Sequence, residues 1–364
     1  MRVLIAGGGT GGHLTPALAV AQALRDADPG GEVVVVGREG GVAERLVSEA
    51  GIPLRTLRIS GVDASDPRTV VLAASRLPAS TFAAGRLLRE LRTDVVVGAG
   101  GYVCVPVVAA ATLRRIPTVL MEQNAYPGRA TRLLARRSRM VAASFASTKR
   151  LLPGATVRHT GNPIRREIRS LVPAPVAERC SRLLVMGGSQ GAHTLNAALE
   201  GMLPDLLATR HDVTVVHQCG ERDWESVRAS RAALPAHFTS RYVAAPFFDD
   251  IGERIAASDL VVMRAGGSSL AECSALGRPM ILVPYPHAGG HQRFNAMPYA
   301  HAGAAVTIDD EDCTPARLLT AVSEVMEGTE RWLSMCAASA RCGIPDAADR
   351  VARLVLDVGA RAAA

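Results

Sequence analysis

The sequence lacks the patterns typical of metal sites and of lysine-containing phosphate loops. Its seven cysteines form no CxxC pair, no HExxH segment occurs, and the single lysine, Lys149, does not follow a glycine. These absences argue against zinc hydrolases and P-loop nucleotidases. The dispersed cysteines instead fit small buried hydrophobic residues in a reducing compartment.

Aromatic residues and long hydrophobic runs are also scarce. Aromatics make up 4% of the chain, which counts against a protein that stacks single-stranded bases. No basic segment precedes the first hydrophobic run, so we expect no signal peptide. The 19 uncharged residues 95–113 approach the length of a membrane span, but three glycines and a proline divide them into a strand, a turn and a helix start.

Positive charge is concentrated in the first half of the chain. Residues 1–162 contain 21 Arg or Lys against 11 Asp or Glu, whereas the remainder contains 20 against 23. An excess of this kind indicates an anionic partner, either a membrane surface or nucleic acid. Solvated arginine-rich helices give the same pattern, so both interpretations stay open. A chain of 364 residues is long enough for two domains.

Two glycine-rich loops are the clearest positive signals. Gly7–His13 lies between a hydrophobic run and an amphipathic segment that Pro16 is predicted to open as a helix, and Gly187–Ala192 repeats this arrangement. A strand, a glycine loop and a helix together direct backbone N–H groups at an anion, usually a phosphate. A glycine loop can also simply let a strand turn into a helix. His13 adds a titratable group at the exit of the first loop.

The remaining pattern predicts an α/β protein with polar residues at strand ends. Buried strands alternate with helices in both halves, Tyr102 follows a third glycine turn, and Glu122–Asn124 directly follows a strand. Such residues lie at the edge where doubly wound sheets bind ligands. No acidic residue ends the strand at Val33–Val36, which argues against a dinucleotide site. Loops, amides and carboxylates of this kind suit a nucleotide sugar.

Residues 70–91 carry hydrophobic positions between arginines. We predict two helical pieces here, divided by Pro78. A hydrophobic face flanked by arginines fits a membrane-surface helix. A helix packed on the sheet gives the same pattern.

Several motifs resemble the MurG family, which belongs to glycosyltransferase family 28. These motifs are Gly7–His13, Glu122–Asn124, Gly161–Arg165, Gly187–Ala192, Glu272 with Pro284 and His291–Asn295, and Ile344–Asp346. The family transfers N-acetylglucosamine from its UDP donor to undecaprenyl-diphospho-muramoyl-pentapeptide (lipid I), which gives lipid II in peptidoglycan synthesis. The resemblance therefore implies a UDP-N-acetylglucosamine-dependent hexosyltransferase.

The resemblance also implies the architecture. It is the α/β GT-B fold, in which two Rossmann-like, doubly wound parallel-sheet domains face a central cleft. Residues 1–162 would form an acceptor and membrane-facing domain, and residues 163–343 the UDP-sugar donor domain. Residues 344–364 would form a helix that packs back on the first domain.

Site residues follow from the same motifs, residue by residue. The implied donor-binding residues are Arg165, Ser189, Gln190, Phe248, Gly267, Ser268, Ser269, Glu272, Gln292 and Asn295. Among them, the backbone of Phe248 would hold the uracil and Glu272 the ribose. The implied acceptor-binding residues are Thr10, Gly11, Gly12, His13, Gly101, Tyr102 and Asn124.

The general base is His13 or Glu122, and His13 alternatively only positions the acceptor diphosphate. The implied reaction is one inverting displacement that requires no metal and no cofactor. The implied partners are the UDP-N-acetylglucosamine donor, a polyprenyl-diphosphate-linked acceptor and, through the basic first domain, an anionic membrane surface, but no nucleic acid. The expected location is cytoplasmic and peripheral, on the inner face of the cell membrane.

The sequence departs from the family pattern on the acceptor side. Residues 60–66 are acidic where the family is usually basic, and Cys104, Val105, Met121 and Thr131 replace the common residues. One alternative is therefore a paralogue that glycosylates another lipid-linked or natural-product acceptor. UDP-sugar 2-epimerases share the implied fold and form a second alternative, and a nucleic-acid-binding module forms a third.

Overall fold

The computed structural model describes residues 1–8, 11–40, 43–59, 67–171, 178–188, 191–286 and 290–363. The chain divides into two compact units. The first unit contains Met1–Arg166 together with Ile344–Ala364, and the second contains Glu167–Gly343.

The first unit is built on a seven-stranded parallel sheet. Its strands are β1 (Arg2–Ala6), β2 (Glu32–Arg38), β3 (Leu54–Leu57), β4 (Val95–Gly98), β5 (Thr118–Glu122), β6 (Met140–Ala143) and β7 (Val157–His159). They lie in the order β3-β2-β1-β4-β5-β6-β7. Valine-rich strands buried on both faces are typical of such sheets. The order reverses between β1 and β4, where doubly wound sheets bind ligands.

The second unit repeats this design with six parallel strands. They are β8 (Arg182–Met186), β9 (Thr214–Gln218), β10 (Tyr242–Ala245), β11 (Leu260–Met263), β12 (Met280–Leu282) and β13 (Ala305–Thr307). Their order is β10-β9-β8-β11-β12-β13, so the reversal falls between β8 and β11. The predicted pair of doubly wound parallel sheets is therefore confirmed.

Helices cover the faces of the two sheets. They are α1 (Gly11–Ala27), α2 (Ala43–Glu49), α3 (Pro67–Glu90), α4 (Gly101–Leu113), α5 (Arg129–Leu134), α6 (Thr148–Leu151), α7 (Arg166–Ser170), α8 (His193–Thr209), α9 (Trp224–Ala233), α10 (Ala236–Thr239), α11 (Ile251–Ala257), α12 (Gly267–Ala275), α13 (His291–His301), α14 (Pro315–Glu327), α15 (Thr329–Cys342) and α16 (Ala347–Ala363). No helix in the part of the chain that the structure describes is long and apolar enough to cross a membrane.

The terminal helix α16 belongs to the first unit. Its buried residues Val351 and Val355 join the hydrophobic core of β1 and α1. At Gly359 the helix lies so close to the first residue that an added Cβ would come within 2.5 Å of the Met1 sulfur. The core of the first unit thus includes a segment from the far end of the chain.

Two local predictions about helix boundaries were wrong. α3 runs without a break through Pro78, although a proline inside a helix removes one backbone hydrogen bond. Pro78 is exposed, so water can satisfy the carbonyl that the proline leaves without a donor. α1 begins at Gly11 rather than at Pro16. His13 therefore lies in the first turn of a helix and not at the exit of a loop.

Candidate functional site

His13 is held by an amide that follows β5. Its Nδ1 lies 3.3 Å from Oε1 of Gln123, whose Nε2 donates a 2.8 Å hydrogen bond to the carbonyl of Ala99. Because the NH₂ group of Gln123 is used by Ala99, its oxygen faces the imidazole and accepts Nδ1–H. The neutral imidazole then carries its lone pair on Nε2, the atom that can take a proton. Gln123 was not predicted as a site residue, although it directly follows β5.

Two glycines at the start of α4 allow the backbone to approach His13. Gly100 and Gly101 have φ values of 95° and 73°, which favour glycine. A Cβ on Gly100 would lie 3.0 Å from Nδ1 of His13, and one on Gly101 would lie 2.7 Å from the carbonyl oxygen of Gly8. The first turns of α1 and α4 therefore meet around the imidazole. Two helix N-termini in one place attract an anion.

Glu122 is buried and its carboxylate holds the following loop. The side chain is 3% exposed. Its Oε1 accepts hydrogen bonds from the backbone N–H of Asn124 at 3.0 Å and from the Asn124 side chain at 3.2 Å, and its Oε2 accepts one from the N–H of Gly128 at 2.9 Å. The geometry thus gives both Glu122 and Asn124 a part in shaping residues 122–128.

Three more of the predicted acceptor-binding residues lie in the first turns of the helices around His13. Tyr102 is in the first turn of α4, and its hydroxyl accepts a hydrogen bond from Arg38 at 3.5 Å. Gly11 and Gly12 are the first residues of α1. Thr10 lies outside the described residues.

In the second unit, the N-terminus of α12 supplies donors for an anion. Gly267, Ser268 and Ser269 form its first turn. The Oγ of Ser268 is buried and has no hydrogen-bond partner among the residues that the structure describes. Buried hydroxyls are almost always paired, so a ligand oxygen can satisfy this one. Glu272 lies one turn further along and is 6% exposed.

Gln292 and Asn295 both lie on α13 and bond to neighbouring backbone. Oε1 of Gln292 accepts a 3.0 Å hydrogen bond from the N–H of Tyr285. Asn295 is completely buried, and its Nδ2 donates to the carbonyl of Ala265 at 3.2 Å. Asn295 therefore fixes the turn that precedes α12.

The backbone N–H of Phe248 is occupied. It donates a 3.1 Å hydrogen bond to Oε1 of Gln218, which ends β9. The Phe248 ring is covered by the guanidinium of Arg254, 3.8 Å from the ring centre. A uracil that uses this N–H has to displace Gln218.

The other predicted donor-binding residues are Arg165, Ser189 and Gln190. Arg165 belongs to the first unit and is half-buried. Ser189 and Gln190 lie outside the described residues. Asn162, in the same turn as Arg165, was not predicted as a site residue. Both polar atoms of its buried amide lack a partner in the described parts of the chain, so a ligand can satisfy them.

A buried polar network supports the start of α8, directly after the second glycine loop. Nδ1 of His217 lies 2.8 Å from the Tyr242 hydroxyl, and Nε2 lies 2.9 Å from Oδ1 of Asn196. The Asn196 amide donates to the Cys219 carbonyl and to Asp223, so Nε2–H of His217 is the donor to Oδ1. Burial lowers the pKa of His217 to about 4, which keeps it neutral. No local sequence pattern indicates this network, because its members come from four separate segments.

The residues that the structure describes include no group of three or more His, Cys, Asp or Glu side chains placed to hold a metal ion. The polar groups collected around His13 and around α12 are instead a histidine, amides, a hydroxyl and helix N-termini. Groups of this kind bind phosphates and sugar hydroxyls.

Comparisons with known proteins agree along the whole chain. The profile described as "Glycosyltransferase family 28 N-terminal domain" matches residues 3–143, and that described as "Glycosyltransferase family 28 C-terminal domain" matches residues 182–351. The chain is 39% identical over 361 residues to the UDP-N-acetylglucosamine--N-acetylmuramyl-(pentapeptide) pyrophosphoryl-undecaprenol N-acetylglucosamine transferase of Syntrophotalea carbinolica, which covers 98% of this chain and 99% of that protein.

The fold is also similar to that of solved structures. The crystal structure of Acinetobacter baumannii MurG matches with a TM-score of 0.78 and 29% identity, over 98% of this chain and 99% of that one. A putative UDP-N-acetylglucosamine 2-epimerase from Listeria monocytogenes matches with a TM-score of 0.69 at 16% identity, over 96% of this chain and 94% of that one. At that identity the second likeness concerns the fold alone.

Proposed function

The chain belongs to glycosyltransferase family 28, and we propose that it transfers N-acetylglucosamine from its UDP donor to N-acetylmuramyl-pentapeptide pyrophosphoryl-undecaprenol, lipid I. The observation that carries the proposal is the similarity to transferases of this specificity over nearly the full length of both chains. The product is lipid II of peptidoglycan synthesis. The fold is GT-B, as predicted.

On the acceptor side, we assign proton transfer to His13. Its Nε2 accepts the proton of the acceptor hydroxyl while the hydroxyl oxygen attacks the anomeric carbon of the donor sugar. The bond from that carbon to the UDP oxygen breaks, UDP carries away the electron pair, and the configuration inverts. The N-termini of α1 and α4 are placed to stabilise the acceptor pyrophosphate. Gly11, Gly12 and Tyr102 contribute to that site.

On the donor side, we assign the leaving diphosphate to the first turn of α12. The Ser268 hydroxyl, which has no partner among the described residues, donates to a phosphate oxygen there, with the N–H groups of Gly267 and Ser269 beside it. Glu272 accepts hydrogen bonds from ribose hydroxyls, and Gln292 binds the sugar. The proposal needs no cofactor, because helix N-termini and arginine can offset the charge that develops on UDP. Ser189 and Gln190 stay predictions for the diphosphate, and Arg165, which belongs to the first unit, stays a prediction as well.

The proposal is tested by transfer of radiolabelled sugar from UDP-N-acetylglucosamine to a lipid I analogue. We expect the label to appear in a disaccharide lipid, with one UDP released for each sugar that is transferred. Consumption of the donor with a different acceptor but not with lipid I would indicate a paralogue. Isomerisation of the UDP sugar without any acceptor would indicate an epimerase. Either result would overturn the proposed reaction.

We further propose that α3 and the end of α4 contact an anionic membrane surface from the cytoplasmic side. Val71, Phe82 and Leu113 are 68%, 71% and 79% exposed, and together they form what we call the apolar patch. Val71 and Phe82 lie about three turns apart on α3 and so share a face. A Cβ on Gly85 would lie 3.1 Å from Nε of Arg114, which places the end of α4 beside α3.

Arginines flank the apolar patch. Arg86 and Arg89 lie on α3 and are exposed, and Arg114 follows α4. Exposed hydrophobic side chains with arginines beside them are typical of membrane-surface helices. The cations add attraction to anionic lipid headgroups.

Replacing Phe82 by serine is expected to weaken binding to vesicles that contain anionic lipid by about tenfold, because a large hydrophobic side chain no longer enters the interface. Co-sedimentation with vesicles measures the effect, and Leu113→Ser should act in the same direction. Leu333→Ser, which changes an exposed leucine of the second unit, is the control and should bind like the wild type. Equal binding of all four proteins would contradict the membrane proposal.

A further inference from the structure

The first unit contains an open cleft of about 920 Å³ next to the acceptor side of the site. The ends of β2 and β3 and one face of α3 surround it. Its volume is in the range of small-ligand sites. The three arginines that line it come from three different elements: Arg38 ends β2, Arg58 follows β3, and Arg76 lies on α3.

The cleft is positively charged over an apolar floor. Glu39 is the single acidic residue among its described lining residues. Leu57 and two alanines of α3 provide the floor. The buried Ser80 hydroxyl donates to the Arg58 carbonyl at 3.4 Å, which anchors that segment to α3. An anionic ligand with small apolar side chains matches this lining.

An incoming carboxylate can compete for these arginines. Nε of Arg58 lies 3.0 Å from Oε2 of Glu39, but the two side chains are 91% and 56% exposed. Ion pairs at such exposure contribute little to stability, because water screens both charges. A ligand carboxylate that hydrogen-bonds to two or three arginines at once is stabilised by more than the loss of the Arg58–Glu39 pair costs.

Arg38 and the start of α4 lie between the cleft and His13, the proposed base. Arg38 donates to the hydroxyl of Tyr102, and Tyr102 follows Gly101. A Cβ on Gly101 would lie 3.3 Å from Cδ2 of His13. A substrate that presents its hydroxyl to His13 can therefore extend past Tyr102 into the cleft.

We propose that this cleft binds the carboxylate-bearing peptide of the acceptor, an inference that rests on the proposed function. The acceptor pyrophosphate is bonded to the same sugar ring as the attacking hydroxyl. It therefore stays within one ring of His13, where α1 and α4 begin. The pentapeptide extends up to about 17 Å from that sugar, and its carboxylates can reach Arg38, Arg58 and Arg76.

The test measures equilibrium binding of acceptor analogues by calorimetry without donor. Two analogues are used, one with peptide carboxylates and one in which every peptide carboxylate is a carboxamide. We expect the wild type to bind the carboxylate form about tenfold more tightly. Arg58→Gln and Arg76→Gln should lose that preference while binding the carboxamide form like the wild type.

Arg45→Gln is the matched control, because Arg45 is likewise exposed and lies 3.9 Å from a glutamate, Glu49, outside the cleft. It should retain the preference. Equal loss of affinity for both analogues in Arg58→Gln would assign the arginine to the pyrophosphate and overturn the proposal, as would no preference in the wild type.

Sugar-transfer assays on the same proteins distinguish a failure of the cleft assignment from a failure of the proposed function. Preference for the carboxylate form without sugar transfer would refute the proposed function but leave the cleft as a site for carboxylate-bearing peptides. Transfer without the preference would refute the cleft assignment alone. Failure of both would overturn both.

Discussion

Replacing His13 by alanine is expected to lower kcat for sugar transfer by about 10²- to 10⁴-fold, the usual contribution of a positioned general base. The reason is the fixed tautomer: Gln123 accepts Nδ1–H at 3.3 Å, so the lone pair of the imidazole is on Nε2. Binding of UDP-N-acetylglucosamine should persist, because the donor groups around α12 belong to the other unit. Steady-state transfer and calorimetric donor binding measure the two effects.

His159→Ala is the matched control for this experiment. His159 lies in the same unit, is exposed, and bonds to the carbonyl of Ser144. It should transfer sugar like the wild type. If His13→Ala raised only the acceptor KM and left kcat intact, His13 would be a residue that positions the acceptor and not the base.

Replacing Glu122 by glutamine is expected to lower the free energy of unfolding of the first unit by about 2 to 3 kcal/mol. The carboxylate accepts three hydrogen bonds with its two oxygens, from Asn124 and Gly128. A glutamine has one oxygen, and its NH₂ group would face a backbone N–H in a buried place. Urea unfolding, followed by a probe in the first unit, measures the change.

The same variant distinguishes the two candidates for the base. If Glu122 only shapes residues 122–128, the acid limb of the pH profile of kcat should stay where it is in the wild type. A loss of kcat as large as that of His13→Ala, together with unchanged stability, would instead identify Glu122 as the base. The control is Glu49→Gln, which changes an exposed residue of α2. It should alter the free energy of unfolding by no more than about 0.5 kcal/mol.

Much of the fold could be predicted because its signals are local. Hydrophobic runs followed by glycine predicted β1, β2 and β4, and the two glycine loops predicted strand-to-helix turns in both halves. The break at Pro78 and the start of α1 at Pro16 were wrong. Both errors took proline as a helix boundary, whereas α1 and α3 accommodate it within the helix.

The candidate site, like the fold, could be predicted only in part from the sequence. The motifs located His13, Glu122 and the first turn of α12 by position, but not what each side chain contacts. The hydrogen bonds of Glu122 to Asn124 and Gly128, the bond between Phe248 and Gln218, and the burial of Asn295 become visible only in the folded chain. The placement of Thr10, Ser189 and Gln190 stays a prediction.

The sequence by itself determined the class of fold and the family, because periodicity, glycine and motif spacing are properties of neighbouring residues. Tertiary structure decided which side chains contact one another. His13 and Gln123 are 110 positions apart and meet because β1 and β5 both adjoin β4. The same ordering of strands brings Arg38 to Tyr102 and sets Arg58 and Arg76 around one cleft. Contacts of that range depend on how the strands are ordered in the sheet, and no local pattern records that order.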